Sequence, residues 1–254
     1  MDYLYDDLEK ICEKVKCSRI AIQGSIENNN FRTPKVRLIK GNDPWVVHID
    51  NGIKYTFDVT KCMFSLGNIN EKIRVSKFNC ENETVVDLFC GIGYFTLPFI
   101  VHAKALMVHA IDWNADAIDA LKKNLALNNA SERCITYIGD NRLVCPKNIA
   151  DRVYLGLIPS SKESWRTACF ALKQEIGGVL HIHENVSSFG VKGKDNIKNV
   201  WHQFGINVVD DLKSIFDEMN GLKWTVRVTA INKVKQYAPH IHHLVIDVEC
   251  RPIH

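Results

Sequence analysis

The stretch Val85-Val86-Asp87-Leu88-Phe89-Cys90-Gly91-Ile92-Gly93-Tyr94-Phe95 constrains this chain more than any other. An apolar run that ends in an acid, meets two closely spaced glycines and then turns apolar again reads as a strand that stops in a tight turn and opens a helix. Nineteen residues past Gly93, a second apolar run, Leu106-Met107-Val108-His109-Ala110-Ile111, ends in Asp112. That is roughly the spacing at which α/β nucleotide folds set a carboxylate on a ribose diol. A dinucleotide site needs a third glycine and a helix N-terminus open to pyrophosphate, whereas here Tyr94 and Phe95 follow the turn directly. A nucleoside cofactor without phosphate fits better, and S-adenosylmethionine is the candidate. The same strand, turn and acid also occur in α/β proteins that hold no cofactor.

A chain of 254 residues with 46% hydrophobic content buries roughly 70–75% of its unfolded surface, enough for one large domain or one and a half. No stretch reaches the ~18 uninterrupted apolar residues of a membrane span, and the opening Met1-Asp2-Tyr3-Leu4-Tyr5-Asp6-Asp7 is acidic where a signal peptide is basic. The reading is a soluble, cytoplasmic protein. Nine cysteines, scattered singly with no Cys-x-x-Cys pair, point to reduced thiols. The net charge of +3 is compatible with nucleic acid but too small to argue for it.

Two regimes follow one another along the chain. Residues 2–17 carry Leu4, Leu8, Ile11 and Val15 at helical spacing. Three strands are expected at 19–23, 36–39 and 45–49, with the polar tract Glu27-Asn28-Asn29-Asn30 among them. Asn51-Gly52, between 45–50 and 53–59, supplies the positive φ angles of a tight hairpin. From Thr84 strands alternate with helices: strands at 84–89, 106–111, 134–138, 152–155 and 179–183, helices near 94–103, 114–128 and 163–174. Such alternation means parallel strands with right-handed crossovers. The runs 224–229 and 243–249 depart from it, having only a loop between them, and must pair antiparallel at a sheet edge. The expected architecture is therefore α/β: a Rossmann-like, mostly parallel sheet over 81–254 with an antiparallel C-terminal edge hairpin, preceded by a small α+β unit over 1–80.

Ligands of open α/β sheets lie outside the carboxyl ends of the strands. Read that way, the first strand offers Asp87, Gly91 and Gly93, the second Asp112, and the third Asp140-Asn141. Asp112 can accept from both ribose hydroxyls and Asp140 from an adenine amino group, with Asn141 beside it; a polar turn after a strand is the plainer account of that last pair. His240, His242 and His243 lack a cysteine or carboxylate at zinc-like spacing, so no metal is expected. His181 and His183 share a strand face and read as locally hydrogen-bonded. Lys192, Lys194 and Lys198 form a basic loop that could touch phosphate, or simply be solvated.

Three further segments carry a resemblance. Thr60-Lys61-Cys62-Met63-Phe64-Ser65-Leu66-Gly67-Asn68 with Glu71-Lys72, Leu155 to Ser161 after the fourth strand, and Tyr237-Ala238-Pro239-His240 through Pro252 resemble the class I methyltransferase-like enzymes that modify position 37 of phenylalanine tRNA. The chain is most similar to the tRNA wybutosine-synthesizing protein 2 family, over roughly 45–254. The resemblance implies transfer of the 3-amino-3-carboxypropyl group of S-adenosylmethionine to 4-demethylwyosine in the anticodon loop of tRNA(Phe), with release of methylthioadenosine. It also implies that Ser65 and Lys72 hold the methionine moiety, Asp112 the ribose, and Asp140 with Asn141 the adenine. Related guanosine-37 N1-methyltransferases carry an Asn-Leu-Pro type motif after the fourth strand. Gly156 stands here in place of that asparagine, which tilts the expectation away from methyl transfer. An N1-methyltransferase and a cofactor-binding, non-catalytic partner remain the alternatives. Family members commonly carry additional N-terminal sequence for gripping tRNA, and this chain begins almost at the β-rich unit.

Overall fold

The computed structural model describes residues 2–26, 34–220 and 223–253, so the tract Glu27 to Asn30 lies outside the described residues. The chain forms two compact units that meet in sequence between Ser65 and Leu66. The first holds α1 (Asp2–Val15), β1 (Ile20–Ile26), β2 (Pro34–Lys40), β3 (Trp45–Asp50) and β4 (Ile53–Asp58). β1 pairs with β2, and β3 with β4, both antiparallel. Asn51 and Gly52 take φ of 49° and 76° between β3 and β4, the two positive angles that the dipeptide promises. Alternation puts Ile53, Tyr55 and Phe57 inward, and the Phe64 ring stacks on Phe57 at 5.4 Å.

The second unit holds α2 (Ile69–Val75), β5 (Thr84–Asp87), α3 (Thr96–Val101), β6 (Met107–Asp112), α4 (Ala115–Leu127), β7 (Cys134–Ile138), α5 (Asn141–Val144), β8 (Arg152–Leu155), α6 (Trp165–Ala171), β9 (Gly178–Ser187), α7 (Lys194–Asn220), β10 (Trp224–Ala238) and β11 (Ile241–Pro252). Its sheet runs β10-β11-β9-β8-β5-β6-β7. The five strands from β5 to β9 are parallel, and β11 and β10 close one side antiparallel. The chain winds outward from β5 through β6 to β7, then returns to β8 and β9. The order reverses between β5 and β8, so a crevice opens at their carboxyl ends, where open α/β sheets bind ligands.

Three features differ from the sequence reading. α2 lies within the larger unit, because Glu71 and Arg74 bond into its sheet at Tyr154 and Asp247; the units therefore part at 65/66 rather than 80/81. The region read as a basic loop is mostly helix, with Lys194 and Lys198 in the first turns of α7. Val200, Phe204, Val208, Leu212 and Phe216 recur every four residues along it and pack on the core beside Leu180, Ile182 and Ile246. Fully burying such a side chain contributes ~1.5–3 kcal/mol, which holds the helix against the sheet. The C-terminal hairpin is also longer than the apolar runs suggest, since β10 continues through the alternating Lys233, Val234 and Lys235. Among the described residues no helix is long and apolar enough to cross a membrane, and all nine cysteines are free thiols.

Candidate cofactor site

The glycine turn sits at the carboxyl end of β5, on the crevice. Gly91 and Gly93 take φ of 53° and 99°, angles that L side chains rarely adopt. Space forbids a side chain as well: a Cβ on Gly91 would lie 2.6 Å from the Tyr94 ring, and one on Gly93 2.7 Å from Leu121 Cδ1. Asp87 braces the turn from beneath. It is fully buried, accepts from Thr96 Oγ1 at 2.7 Å and from the Phe89 amide at 3.4 Å, and burial pushes its carboxyl up to about 7.

Asp112, at the end of β6, is joined to this turn directly. The Gly91 amide donates to its Oδ2 at 2.9 Å and the Asn114 amide to its Oδ1 at 2.9 Å. A carboxylate offers about four lone-pair sites, and with the backbone at Gly91, Asn114 and Trp113 on it it is held in place with acceptor capacity left over. Burial raises its pKa. Lys72 reaches the turn from α2; it is 1% exposed, with Nζ 5.8 Å from the centre of the Tyr94 ring. Asp87, Gly91, Gly93, Asp112 and Lys72 are thus brought to one locus.

Asp140 and Asn141 are placed differently. Asp140 caps α5 through the Arg142 amide at 2.9 Å and meets the Arg142 guanidinium at 2.6 Å, which holds its carboxyl below the usual range. Asn141 is buried; its amide donates to the Leu88 carbonyl at 3.1 Å and accepts from Ser164 Oγ at 2.9 Å. Its side chain ties the exit of β5 to the segment before α6. Ser65 is the last residue of the first unit and adjoins Leu66 in the chain.

The loop after β8 borders the same crevice. Gly156 packs near Tyr154 and Phe95, where a Cβ would find ordinary contacts of 3.4–3.5 Å. Ser160 Oγ and the Ser161 amide donate to Glu184 Oε1 at 2.8 and 2.9 Å, and the Asn185 amide donates to the Pro159 carbonyl at 2.8 Å. The loop and the end of β9 are therefore one hydrogen-bonded piece.

Behind the crevice runs a buried polar network that the sequence reading missed. Tyr154 donates to Glu71 Oε1 at 2.8 Å, His183 Nε2 lies 2.7 Å from the Tyr154 hydroxyl, and His183 Nδ1 lies 2.8 Å from His243 Nε2. Burial pushes His183 well down and His243 down to about 4. With Tyr154 donating to Glu71, the hydrogen-bond chain closes when each imidazole carries its proton on Nε2, and its donors then run towards Glu71. Beside it, Asp247 meets Arg74 at 2.6 Å and His181 Nδ1 at 2.5 Å. Burial would raise the Asp247 carboxyl, but His181 and Arg74 outweigh it and hold it at about 2. His181 and His183 are hydrogen-bonded as read, though to partners on other strands. The available signal was the shared strand face of the two histidines together with Glu71 and Arg74 one helical turn apart.

A parallel sheet whose order reverses at a glycine turn, with an acid at the end of the next strand, defines a class I methyltransferase-like protein of Rossmann type. The profile of the TRM5/TYW2 methyltransferase domain matches residues 46–209, and the chain belongs to that family. It is 43% identical over 283 aligned positions to the tRNA wybutosine-synthesizing protein 2 homolog of Bos taurus, covering 97% of this chain and 65% of the relative. The chain thus spans slightly less than two thirds of the length of that curated relative. Among solved structures, M. jannaschii TYW2 in complex with AdoMet is 33% identical with a TM-score of 0.71, covering 86% of this chain and 91% of that one. P. horikoshii TYW2 in complex with MeSAdo is 30% identical with a TM-score of 0.75, covering 96% and 81%.

Proposed function

We propose that this protein is an S-adenosylmethionine-dependent tRNA 3-amino-3-carboxypropyltransferase of wybutosine biosynthesis. It moves the aminocarboxypropyl group of the cofactor to 4-demethylwyosine at position 37 in the anticodon loop of tRNA(Phe), releases methylthioadenosine and works in the cytoplasm. The observation that carries this reading is the likeness to a neighbour solved with MeSAdo, the methylthioadenosine that remains when aminocarboxypropyl, rather than methyl, leaves the sulfonium.

In this reading Asp112 accepts from the ribose hydroxyls with the acceptor capacity its backbone donors leave free. The left-handed glycines let the main chain pass close to the cofactor, braced by Asp87. Lys72 faces the methionine carboxylate and Ser65 serves the same end. Asp140 takes the adenine amino group through the part of its carboxylate that Arg142 leaves open, and Asn141 holds the adenine side of the pocket in shape. A sulfonium has three carbons open to in-line displacement, so the one aimed at the nucleophile reacts and positioning decides the product. Methyl transfer to guanosine 37 is the second reading, because the matching profile covers both TRM5 and TYW2. Gly156 in the loop after β8 weighs against it. Cofactor labelled either on the methyl or on the carboxyl carbon, incubated with precursor tRNA, tests the choice. Carboxyl label in RNA together with methylthioadenosine is expected; methyl label in RNA overturns the proposal. Normal cofactor binding with neither label transferred identifies a non-catalytic partner.

A further inference from the structure

Beside the crevice, the same edge of the sheet presents a second chemical surface. β9 runs parallel to β5 and β8, so its end at Ser187 opens on the carboxyl side of the sheet. The turn between β10 and β11 reaches that side too, because Ile241 pairs with Ser187. Ser188, which is buried, staples the two: its amide donates to the His240 carbonyl at 2.7 Å and its hydroxyl bonds His242 Nε2 at 2.8 Å. The staple sets Phe189 and His240 edge to face, with ring centres 5.8 Å apart and planes at 88°. Phe189 is nevertheless 83% exposed, and His240 is exposed on a left-handed backbone with φ of 59°.

A phenylalanine held in water beside a pinned turn gains nothing from its own fold by being there. Its neighbours say what it is for. Gly190 and Gly193 leave the ring standing clear, and Lys192, Lys194 and Lys198 follow, all exposed, against the single acid Asp195. Two small exposed rings bordered by cations are a poor seat for an apolar protein surface, which needs a contiguous patch. It suits an unpaired base, whose π-face stacks on the ring while its phosphates meet the lysines. The loop after β8 is hydrogen-bonded to Glu184 and Asn185, so the platform stands a few residues from the segment that borders the crevice.

We propose that Phe189 and His240 form a stacking platform for an unpaired base next to the modified nucleotide, with Lys192, Lys194 and Lys198 on the adjoining phosphates. The proposal rests on the tRNA reading above and names the surface that grips the loop.

The test is a titration of the full chain with a tRNA(Phe) anticodon stem-loop carrying 2-aminopurine beside position 37, alongside calorimetry with S-adenosylmethionine. Stacking contributes ~1–3 kcal/mol per base, so Phe189→Ala is expected to raise the stem-loop Kd roughly fivefold to a hundredfold and to abolish 2-aminopurine quenching, with cofactor affinity unchanged. Phe189→Leu, which keeps the bulk but not the π-face, behaves like alanine, and Phe189→Trp retains binding. Changing the three lysines to alanine lowers the salt slope by about 2, at ~0.7 per single-strand phosphate. Phe189→Ala binding within twofold of wild type overturns the platform, as does Phe189→Leu binding like wild type. Failure of the wild-type chain to bind the stem-loop even at low salt overturns the tRNA reading, and the platform falls with it.

Discussion

Asp112 and Asp87 stand at the ends of neighbouring strands and do opposite work with the same functional group. Asp112 is fixed by two amides and keeps lone pairs for a ligand. Hydrogen bonds to a charged group contribute ~1.5–3 kcal/mol each, so Asp112→Ala is expected to weaken S-adenosylmethionine binding tenfold or more by calorimetry; unchanged affinity removes the ribose assignment. Asp87 turns inward, and its titration is felt in stability. Burial pushes its folded carboxyl up to about 7, above the unfolded value near 3.9. The stability it contributes is therefore full below pH ~4 and is lost as pH rises through 7, at up to ~1.4 kcal/mol per pH unit. Asp87→Asn, which keeps an acceptor for Thr96, should flatten that limb, seen as a Tm that no longer falls between pH 5 and 7. Both acids were legible as strand-end carboxylates. Their division of labour was not, because it depends on Thr96 lying behind one and the Gly91 amide in front of the other. The same holds for Asn141, whose amide is committed to Leu88 and Ser164.

At the scale of elements, the glycine turn and the loop after β8 make contrasting demands. Gly93 combines a φ of 99° with a neighbour 2.7 Å from any Cβ. Gly93→Ala should cost ~1–3 kcal/mol, lowering Tm and cofactor affinity together. Gly156 has no positive φ and open contacts of 3.4–3.5 Å, so Gly156→Ala should leave Tm within the ~0.5 kcal/mol expected of a neutral site and act, if anywhere, on which group is transferred. Differential scanning of both variants separates the two cases. The hairpin at Asn51-Gly52 and the parallel strands were readable because local backbone chemistry and apolar runs specify them. α7 escaped although its stripe from Val200 to Phe216 was present, since Gly205 and the interleaved polar residues dilute a four-residue spacing. The polar network could not be read from spacing at all: Arg74 and Asp247 lie 173 residues apart, and nothing local marks either as the other's partner.

For the whole molecule, the sheet order carries a demand on how it is made. Among the described residues β11 is the last strand in sequence but the second in the sheet, and β10 pairs with no other strand. β11 also brings Asp247, the anion shared by Arg74 and His181. Removing one partner from a buried ion pair costs ~3–5 kcal/mol, so Asp247→Asn should lower stability by about that much in urea unfolding. The acid limb of stability should shift with it: a carboxyl held at about 2 contributes above its unfolded pKa and loses that contribution as pH falls through 2. During synthesis the same dependence acts in time. A nascent chain that has emerged only as far as residue 240 has β9 with one bare edge, β10 with no neighbour, and Arg74 and His181 without the carboxylate they share. In chains arrested at increasing lengths through an added C-terminal extension, protease sensitivity across β9 and β10 should persist until β11 clears the exit tunnel. The order in which this sheet is written thus makes the interior wait for Ile241–Pro252 before it can close.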